Sequence, residues 1–175
     1  MLEGLDFAAL REAVAKQADA FLAKCRTKAP DETLYALAVC IDSDVTSLVF
    51  RANSEQSLEH AGDRFYIDDW PRTDKKAAEA NAALSTLWEQ FRIEVDSSQD
   101  SDDARKAMRK RCLETLVNGL RDFRRIAGNS ISADFGLFVY DSDPAVPGEA
   151  LQIASSSTRP QRTKPSPTPT MVAFA

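Results

Sequence analysis

The chain has 175 residues, with 27 acidic and 22 basic side chains and a net charge of -5 at pH 7. This length predicts one folded domain, and a content of 43% hydrophobic and 28% charged residues is typical of a soluble globular protein. The acidic balance opposes nonspecific binding to nucleic acid or to an anionic membrane surface. No apolar run approaches the ~20 residues of a membrane-spanning helix, and the N-terminus lacks the pattern of a secretory signal. We therefore expect a cytoplasmic protein without a membrane or nucleic-acid partner.

The first part of the chain predicts a helix followed by a β-hairpin. Apolar residues recur at steps of three and four over about residues 5–28: Phe7, Leu10, Val14, Ala18, Phe21 and Cys25. Residues 33–41 and 45–52 then predict two strands, joined by the short polar residues Asp42, Ser43 and Asp44. Alternation places Tyr35, Leu37, Val39 and Ile41 on one face of the first strand, and Leu34, Ala36, Ala38 and Cys40 on the other. Both faces are apolar, which predicts a central strand.

Further along the chain, Asn53 is suited to cap a short helical turn over residues 55–60. The stretch RFYIDDWP, residues 64–71, predicts an extended segment that ends at Pro71. Helical periodicity follows over about residues 74–95 and again over about residues 102–126, where Gly128 and Asn129 end the second helix. Residues 131–140 alternate as a third strand, and residues 144–153 suit a short final helix.

These elements predict an α/β domain of the α+β kind, with a small, mainly antiparallel sheet flanked by long helices. We expect one globular domain over residues 1–154. Residues 155–175 form a Ser/Thr/Pro-rich tail with too little apolar material to pack, so we expect it to be disordered or loosely extended.

The candidate catalytic residues are few. His60 is the only histidine, and it lies in a predicted surface turn without a nucleophile motif nearby. The sequence has no phosphate-binding glycine loop, no HExxH and no GxSxG. Three widely spaced cysteines on predicted apolar faces argue against a disulfide framework or a zinc site. We therefore predict a noncatalytic protein without a cofactor or a bound metal.

Two acidic triplets follow predicted strands, at residues 42–44 and 141–143. Neither has the regular oxygen ligands, central glycine and distal glutamate of a calcium loop, and Asp and Ser are common in tight turns. We interpret both triplets as turns. The alternative is an enzyme or small-ligand protein whose carboxylate site forms where Asp42, Asp44, Asp141 and Asp143 approach one another.

The second long helix is strongly basic, because ARKAMRKRC is followed by Arg121, Arg124 and Arg125. A nucleic-acid surface needs aromatic residues for base stacking, and none is interleaved here. The basic residues alternate with an apolar stripe and follow an acidic loop. We interpret them as a solvated helix face.

RFYIDDWP combines aromatic and acidic residues in one short stretch. Phe65, Tyr66 and Trp70 surround the paired carboxylates Asp68 and Asp69. Aromatic anchors beside charge are typical of a protein-binding hot spot for a basic partner. The structural alternative is that Phe65 and Trp70 cover the edge of the sheet while the aspartates are solvated.

The order of these segments resembles the bacterial family called domain of unknown function 4303, over roughly residues 5–145. That family has an extended YAxAL-type strand, an acidic turn, a second strand ending in A-A-N-[ST]-E, and a segment with two tryptophans. The matching residues in this chain are Tyr35, Ala36, Leu37, Asp42, Asp44, Ala52, Asn53, Ser54, Glu55 and Trp70. Tyr66 stands where the family pattern has its first tryptophan, and Asp69 replaces the acid before the second.

The resemblance implies a small cytosolic immunity protein, which binds and blocks a cognate toxin, and it carries over no catalytic residues. A basic toxin domain, such as a nuclease, would suit the net charge of -5. The residues that we expect to contact such a protein partner are Tyr66, Asp68, Asp69 and Trp70, with Asp42 and Asp44 as further candidates.

Overall fold

The computed structural model of the chain describes residues 5–42, 45, 47–60, 64–74, 82–97 and 102–141, together with the backbone of residues 171–174. Several predicted features lie outside the described residues. These are the turn residues 43, 44, 142 and 143, the short helix over 144–153, and the tail from 155 to 170.

The structure has three long helices in its described residues: α1 (Phe7–Lys28), α2 (Ala82–Ser97) and α3 (Asp102–Ala127). The side chain of Asp6 caps α1 by accepting a hydrogen bond from the Ala9 amide at 2.9 Å. Gly128 follows α3 with a φ of +49°, a left-handed conformation that glycine adopts without a steric penalty. Of the helices in the described ranges, none combines the length and apolar character needed to cross a membrane.

The strands are β1 (Leu34–Ile41), β2 (Leu48–Ser54), β3 (Arg72–Asp74), β4 (Gly136–Asp141) and β5 (Met171–Phe174). They form one sheet in the order β3-β2-β1-β4-β5. β1 is parallel to β4, whereas the other three neighbouring pairs are antiparallel. The predicted α+β fold with a mainly antiparallel sheet is confirmed, and β1 and β2 are the predicted hairpin. Within the segment predicted to be disordered or loosely extended, the backbone of Met171–Phe174 is extended and paired with β4.

The helices pack against one face of the sheet and form the main core. The strand residues that face them include Leu37, Val39, Ile41, Phe50, Leu137 and Val139. The apolar residues that recur at helical spacing in the two later helices are buried there: Leu84, Trp88, Phe91, Val95, Met108, Cys112, Leu116, Leu120 and Phe123. The three cysteines are buried free thiols, as their apolar positions predicted.

A smaller apolar cluster lies on the opposite face of the sheet. Its buried members are Ala36, Ala38, Cys40, Ile67, Trp70, Phe138 and Tyr140. Ile67 and Trp70 belong to the RFYIDDWP stretch, so this stretch covers part of the face that the helices leave open. β1 is therefore buried on both faces, as its sequence predicted.

The predicted faces of β1 are wrong at its start. The register between β1 and β2 shifts between Leu34 and Ala36, so Tyr35 is an additional residue without a direct partner. Because a bulge reverses the alternation before it, Leu34 packs against the main core and Tyr35 packs against the smaller cluster. The sequence analysis had placed Tyr35 with Leu37.

Three other local predictions are corrected. RFYIDDWP is not an extended segment, because residues 64–65 and 67–69 form 3-10 turns. Asp74, predicted to begin a helix, ends the edge strand β3. The third strand begins at Gly136, since residues 131–135 form a turn closed by a hydrogen bond from the Phe135 amide to the Ser132 carbonyl, 3.1 Å. Ile131 and Phe135 are nevertheless buried in the main core, which explains why their spacing resembled a strand.

Candidate functional site

The candidate site is the segment of residues 64–70, which we call the recognition segment. Its backbone is compact: the Asp69 amide donates to the Tyr66 carbonyl at 3.1 Å, and the Trp70 amide donates to the Ile67 carbonyl at 3.2 Å. Arg51, on β2, donates from Nη1 to the carbonyls of Ile67 and Asp68 at 3.3 and 2.5 Å. The Asp68 carbonyl thus gains a partner on the sheet, and the Ile67 carbonyl, which already accepts from the Trp70 amide, gains a second one. The segment is thus tied directly to the sheet.

Trp70 is the buried anchor of the recognition segment. Its side chain is 2% exposed and makes edge-to-face contacts with Phe138, at a centroid distance of 6.0 Å, and with Tyr35, at 6.2 Å. Ile67 is buried beside it. The structural alternative weighed for Trp70, that it covers the sheet, therefore describes where it lies. Its indole nitrogen has no acceptor among the described residues.

The exposed part of the recognition segment is aromatic and acidic. Phe65 is 53% exposed and Tyr66 is 58% exposed. The ring of Phe65 packs by one edge against Phe138, with 6.4 Å between centroids, which leaves much of its area facing solvent. Asp68 and Asp69 are also exposed. Large exposed aromatic side chains on an ordered backbone are the feature most typical of a protein-binding surface.

The two aspartates of the segment have different surroundings. The hydroxyl of Tyr140 donates a short hydrogen bond to Oδ2 of Asp68. Burial, and then the adjacent carboxylate, raise the pKa of Tyr140 above its ordinary value. Tyr140 therefore stays protonated and holds Asp68 close to the sheet. Asp69 makes no side-chain hydrogen bond or ion pair to any described residue, which leaves its carboxylate available to a cation of a partner.

A charged pair borders the exposed aromatic residues. Arg64 bonds to Glu55 at 2.5 Å, and its guanidinium lies 4.3 Å from the centroid of the Tyr35 ring. The positive charge of Arg64 is thus already balanced by Glu55. Asp68 and Asp69 keep their negative charges, since the partner of Asp68 is the neutral hydroxyl of Tyr140. Of the two, Asp69 is the carboxylate without a side-chain partner among the described residues.

Among the described residues, the acids at the strand ends do not form a cluster of exposed carboxylates. Asp42 follows β1 and is half-buried, one residue beyond Ile41, which pairs in register with Asp141 of β4. Asp141 is 5% exposed and forms an ion pair with Arg109 of α3. A buried carboxylate paired with a guanidinium is already neutralised. Asp44 and Asp143 lie outside the described residues, and no group of three potential metal ligands occurs within the described ranges.

The other features considered as sites are His60, the basic residues of α3 and a cavity between α1 and α3. His60 is exposed, as predicted. Several basic residues of α3 contact other parts of the protein: Arg105 pairs with Asp102 at 3.1 Å, Arg111 lies over the Phe7 ring at 4.0 Å, and Arg124 donates to the carbonyls of Ala133 and Phe135.

A cavity of about 380 Å³ lies between α1 and α3, lined by Arg11, Lys16, Asp122 and Ile126 among others. Two of its lining residues, Arg11 and Asp122, form an ion pair with 2.5 Å between Nε and Oδ2, so these charges are already paired with each other.

Of the predicted contact residues in the recognition segment, Tyr66, Asp68 and Asp69 are exposed, whereas Trp70 is buried. The sequence analysis does not identify Arg51 or Tyr35 as supports of that segment, because both lie on the distant hairpin. Phe65 is exposed beside Tyr66 but is not among the predicted contact residues. The alternation of β2 carried one usable signal: Arg51 shares a face with Val49, which predicts that this basic side chain crosses an apolar surface.

Comparison with family models identifies a match over most of the chain. The model of the family described as Domain of unknown function (DUF4303) matches residues 10–127, from α1 through the end of α3. No curated protein and no solved structure matches significantly. The matched region contains the recognition segment and both strands that support it from the hairpin, and it extends over more than half of the chain. The chain therefore belongs to the DUF4303 family.

Proposed function

We propose that this chain is a noncatalytic binding protein of the cytoplasm, an immunity protein that neutralises a cognate toxin by direct binding. The observation that carries the proposal is the exposure of Phe65 and Tyr66 beside Asp69, on a segment whose other apolar side chains are buried. Exposed apolar surface has an unfavourable hydration free energy, and a bound partner would remove this surface from water. The resemblance to the DUF4303 family supports the same proposal, because it implies an immunity protein.

The proposed partner is a protein with a basic, concave surface. Phe65 and Tyr66 would supply the apolar contact, and Asp69 would pair with a lysine or arginine of the partner. The net charge of -5 adds long-range attraction, which raises the rate of encounter with a basic domain such as a nuclease. Asp68 would contribute less, because its carboxylate is already bound by Tyr140.

The proposal is tested by co-expression with the toxin domain encoded beside this chain, with cell survival as the readout. We expect the wild type to protect, and the double variant Phe65→Ala, Tyr66→Ala to lose protection. The matched control is Ile93→Ala, Ile126→Ala, because these side chains are 55% and 59% exposed but lie on α2 and α3, on the helical face. Both double variants remove similar exposed apolar area.

Charge is tested separately with Asp69→Ala against Asp19→Ala, which removes an exposed carboxylate from α1. We expect only Asp69→Ala to reduce protection and to slow complex formation, and the difference to shrink as salt is raised. Failure of the folded wild type to bind or protect against the neighbouring toxin would reject the proposal. Equal loss in the control variants would reject this surface as the site.

A further inference from the structure

The β-bulge at the start of β1 changes where Tyr35 points. Without the register shift between Leu34 and Ala36, simple alternation would direct Tyr35 towards the helices. With it, the side chain lies on the opposite face and packs against the smaller cluster. Bulges commonly redirect one side chain near a functional site.

Tyr35 contacts both ends of the recognition segment. Its hydroxyl donates to the backbone carbonyl of Arg64 at 3.0 Å, and its ring lies beneath the Arg64 guanidinium. The same ring meets Trp70 edge to face. One side chain thus contacts the first and the last residue of the segment, and the exposed residues Phe65 and Tyr66 lie between these two contacts in the chain.

The hydroxyl of Tyr35 is itself fixed from the sheet. Nδ2 of Asn53 donates to it at 3.0 Å, and Asn53 is 3% exposed. The Ser57 hydroxyl and the Ser54 amide, the latter at 2.9 Å, both donate to the amide oxygen of Asn53, which orients its nitrogen towards Tyr35. Burial raises the pKa of Tyr35, so the hydroxyl remains protonated and can donate to Arg64 while it accepts from Asn53.

We propose that Tyr35 is the positioning residue that holds residues 64–70 in their partner-binding conformation, through its bond to the Arg64 carbonyl and its ring contacts with Arg64 and Trp70. This inference rests on the proposed function. A segment ordered before binding loses less conformational freedom when the partner docks, so its affinity is higher for the same contacts. The bulge, Asn53 and Tyr35 together connect the hairpin to the exposed aromatic residues.

The first test needs no partner. Amide hydrogen exchange is measured in the full chain and in Tyr35→Phe, which keeps the ring and removes both hydroxyl bonds. We expect the amides of Asp69 and Trp70 to exchange about fivefold faster, the effect of one lost hydrogen bond on local opening, while amides in the β1–β2 ladder keep their rates. Tyr140→Phe is the control, because it releases only the Asp68 side chain and should leave these two amides close to wild type.

Unchanged exchange at Asp69 and Trp70, or an equal increase throughout the β1–β2 ladder, would overturn the inference. The second test is the co-expression assay with Tyr35→Phe. Loss of protection in a folded Tyr35→Phe protein supports the inference. If the double variant Phe65→Ala, Tyr66→Ala abolishes protection whereas Tyr35→Phe retains it, the binding surface stands and the positioning role is rejected. If that double variant itself protects, the proposed surface is wrong and the inference falls with it.

Discussion

Replacement of Trp70 by alanine separates the two roles that aromatic residues have in the recognition segment. Trp70 is buried between Phe138 and Tyr35, whereas Tyr66, four residues earlier, is 58% exposed. The first should stabilise the fold, and the second should serve binding. The two substitutions are therefore expected to have opposite profiles: Trp70→Ala lowers the free energy of unfolding, and Tyr66→Ala lowers affinity for the partner with the fold intact.

The size of the Trp70 effect follows from what the side chain contacts. Truncation of a buried aromatic residue to alanine costs ~3–5 kcal/mol. The indole nitrogen of Trp70 has no acceptor among the described residues, and removing such a buried donor returns part of this cost. We therefore expect a loss near the lower end, about 3 kcal/mol. This is a large share of the ~5–15 kcal/mol that stabilises an ordinary domain.

Trp70→Phe refines the same test. It keeps a ring to meet Phe138 and Tyr35, and it removes the unpaired N–H group. The loss of ring area and the removal of the donor act in opposite directions, so we expect a change within about 1 kcal/mol of wild type. Tyr66→Ala, at an exposed position, should change stability by no more than about 0.5 kcal/mol.

Urea unfolding followed by far-UV circular dichroism measures all three variants, because this signal does not depend on the tryptophan that is removed. The expected order of unfolding midpoints is wild type, Tyr66→Ala and Trp70→Phe close together, with Trp70→Ala well below. A Trp70→Ala protein as stable as wild type would refute the reasoning, since it would mean that the smaller cluster does not contribute to the fold. A strongly destabilised Tyr66→Ala would show that the exposed aromatic is structural.

Three further predictions concern the scaffold. A Cβ at Gly119 would lie 2.8 Å from a methyl carbon of α1, so Gly119→Ala should lower stability by about 1 kcal/mol despite its better helix propensity, and a raised urea midpoint would contradict this. Burial raises the pKa of Cys40 and Cys112 to about 12, so iodoacetamide at pH 8 should modify them only at the rate of unfolding, as mass spectrometry can show. The Ser54 hydroxyl, and then the neighbouring guanidinium, lower the pKa of Glu32. A lowered pKa gives its full stabilisation above the ordinary pKa of 4.5, and that stabilisation is lost as pH falls through the lower pKa of the folded state. The stability advantage of wild type over Glu32→Gln should therefore begin to shrink below pH 4.5 and vanish once pH is below the folded pKa; an advantage that persists in stronger acid would disprove this pairing.

Local patterns were sufficient for the elements whose burial is regular. The three-and-four spacing of α1, α2 and α3 follows from one face packing against the sheet, and the apolar faces of β1 predicted a central strand. The stretch RFYIDDWP was recognisable as a candidate surface because aromatic and acidic residues rarely cluster without a structural or binding role. In each case the signal lies within a short window of sequence.

Local patterns failed where a distant contact decides the conformation. The sequence predicts an extended segment over residues 64–70. Arg51 donates hydrogen bonds to the carbonyls of Ile67 and Asp68, and Trp70 inserts beside Phe138, so the backbone closes into 3-10 turns. Residues 131–135 alternate like a strand because one buried side chain lies at each end of a turn, Ile131 at the start and Phe135 at the end. The residues that these two segments contact lie far away in the chain, so a short window of sequence does not contain both sides of the contact.

The sequence by itself determined the class of fold, the helices, the hairpin and the stretch that carries the candidate site, because helical and strand periodicity record which side chains are buried. Only the tertiary structure decided which side chains of that stretch face inward. A bulge of one residue turned Tyr35 to the face that holds Trp70, and the pairing of β1 with β4 brought Phe138 into contact with Trp70 on the same face. The physical reason is that a bulge reverses the faces of the residues on one side of it, here Leu34 and Tyr35, and that register is set by pairing between strands rather than by the pattern within one strand.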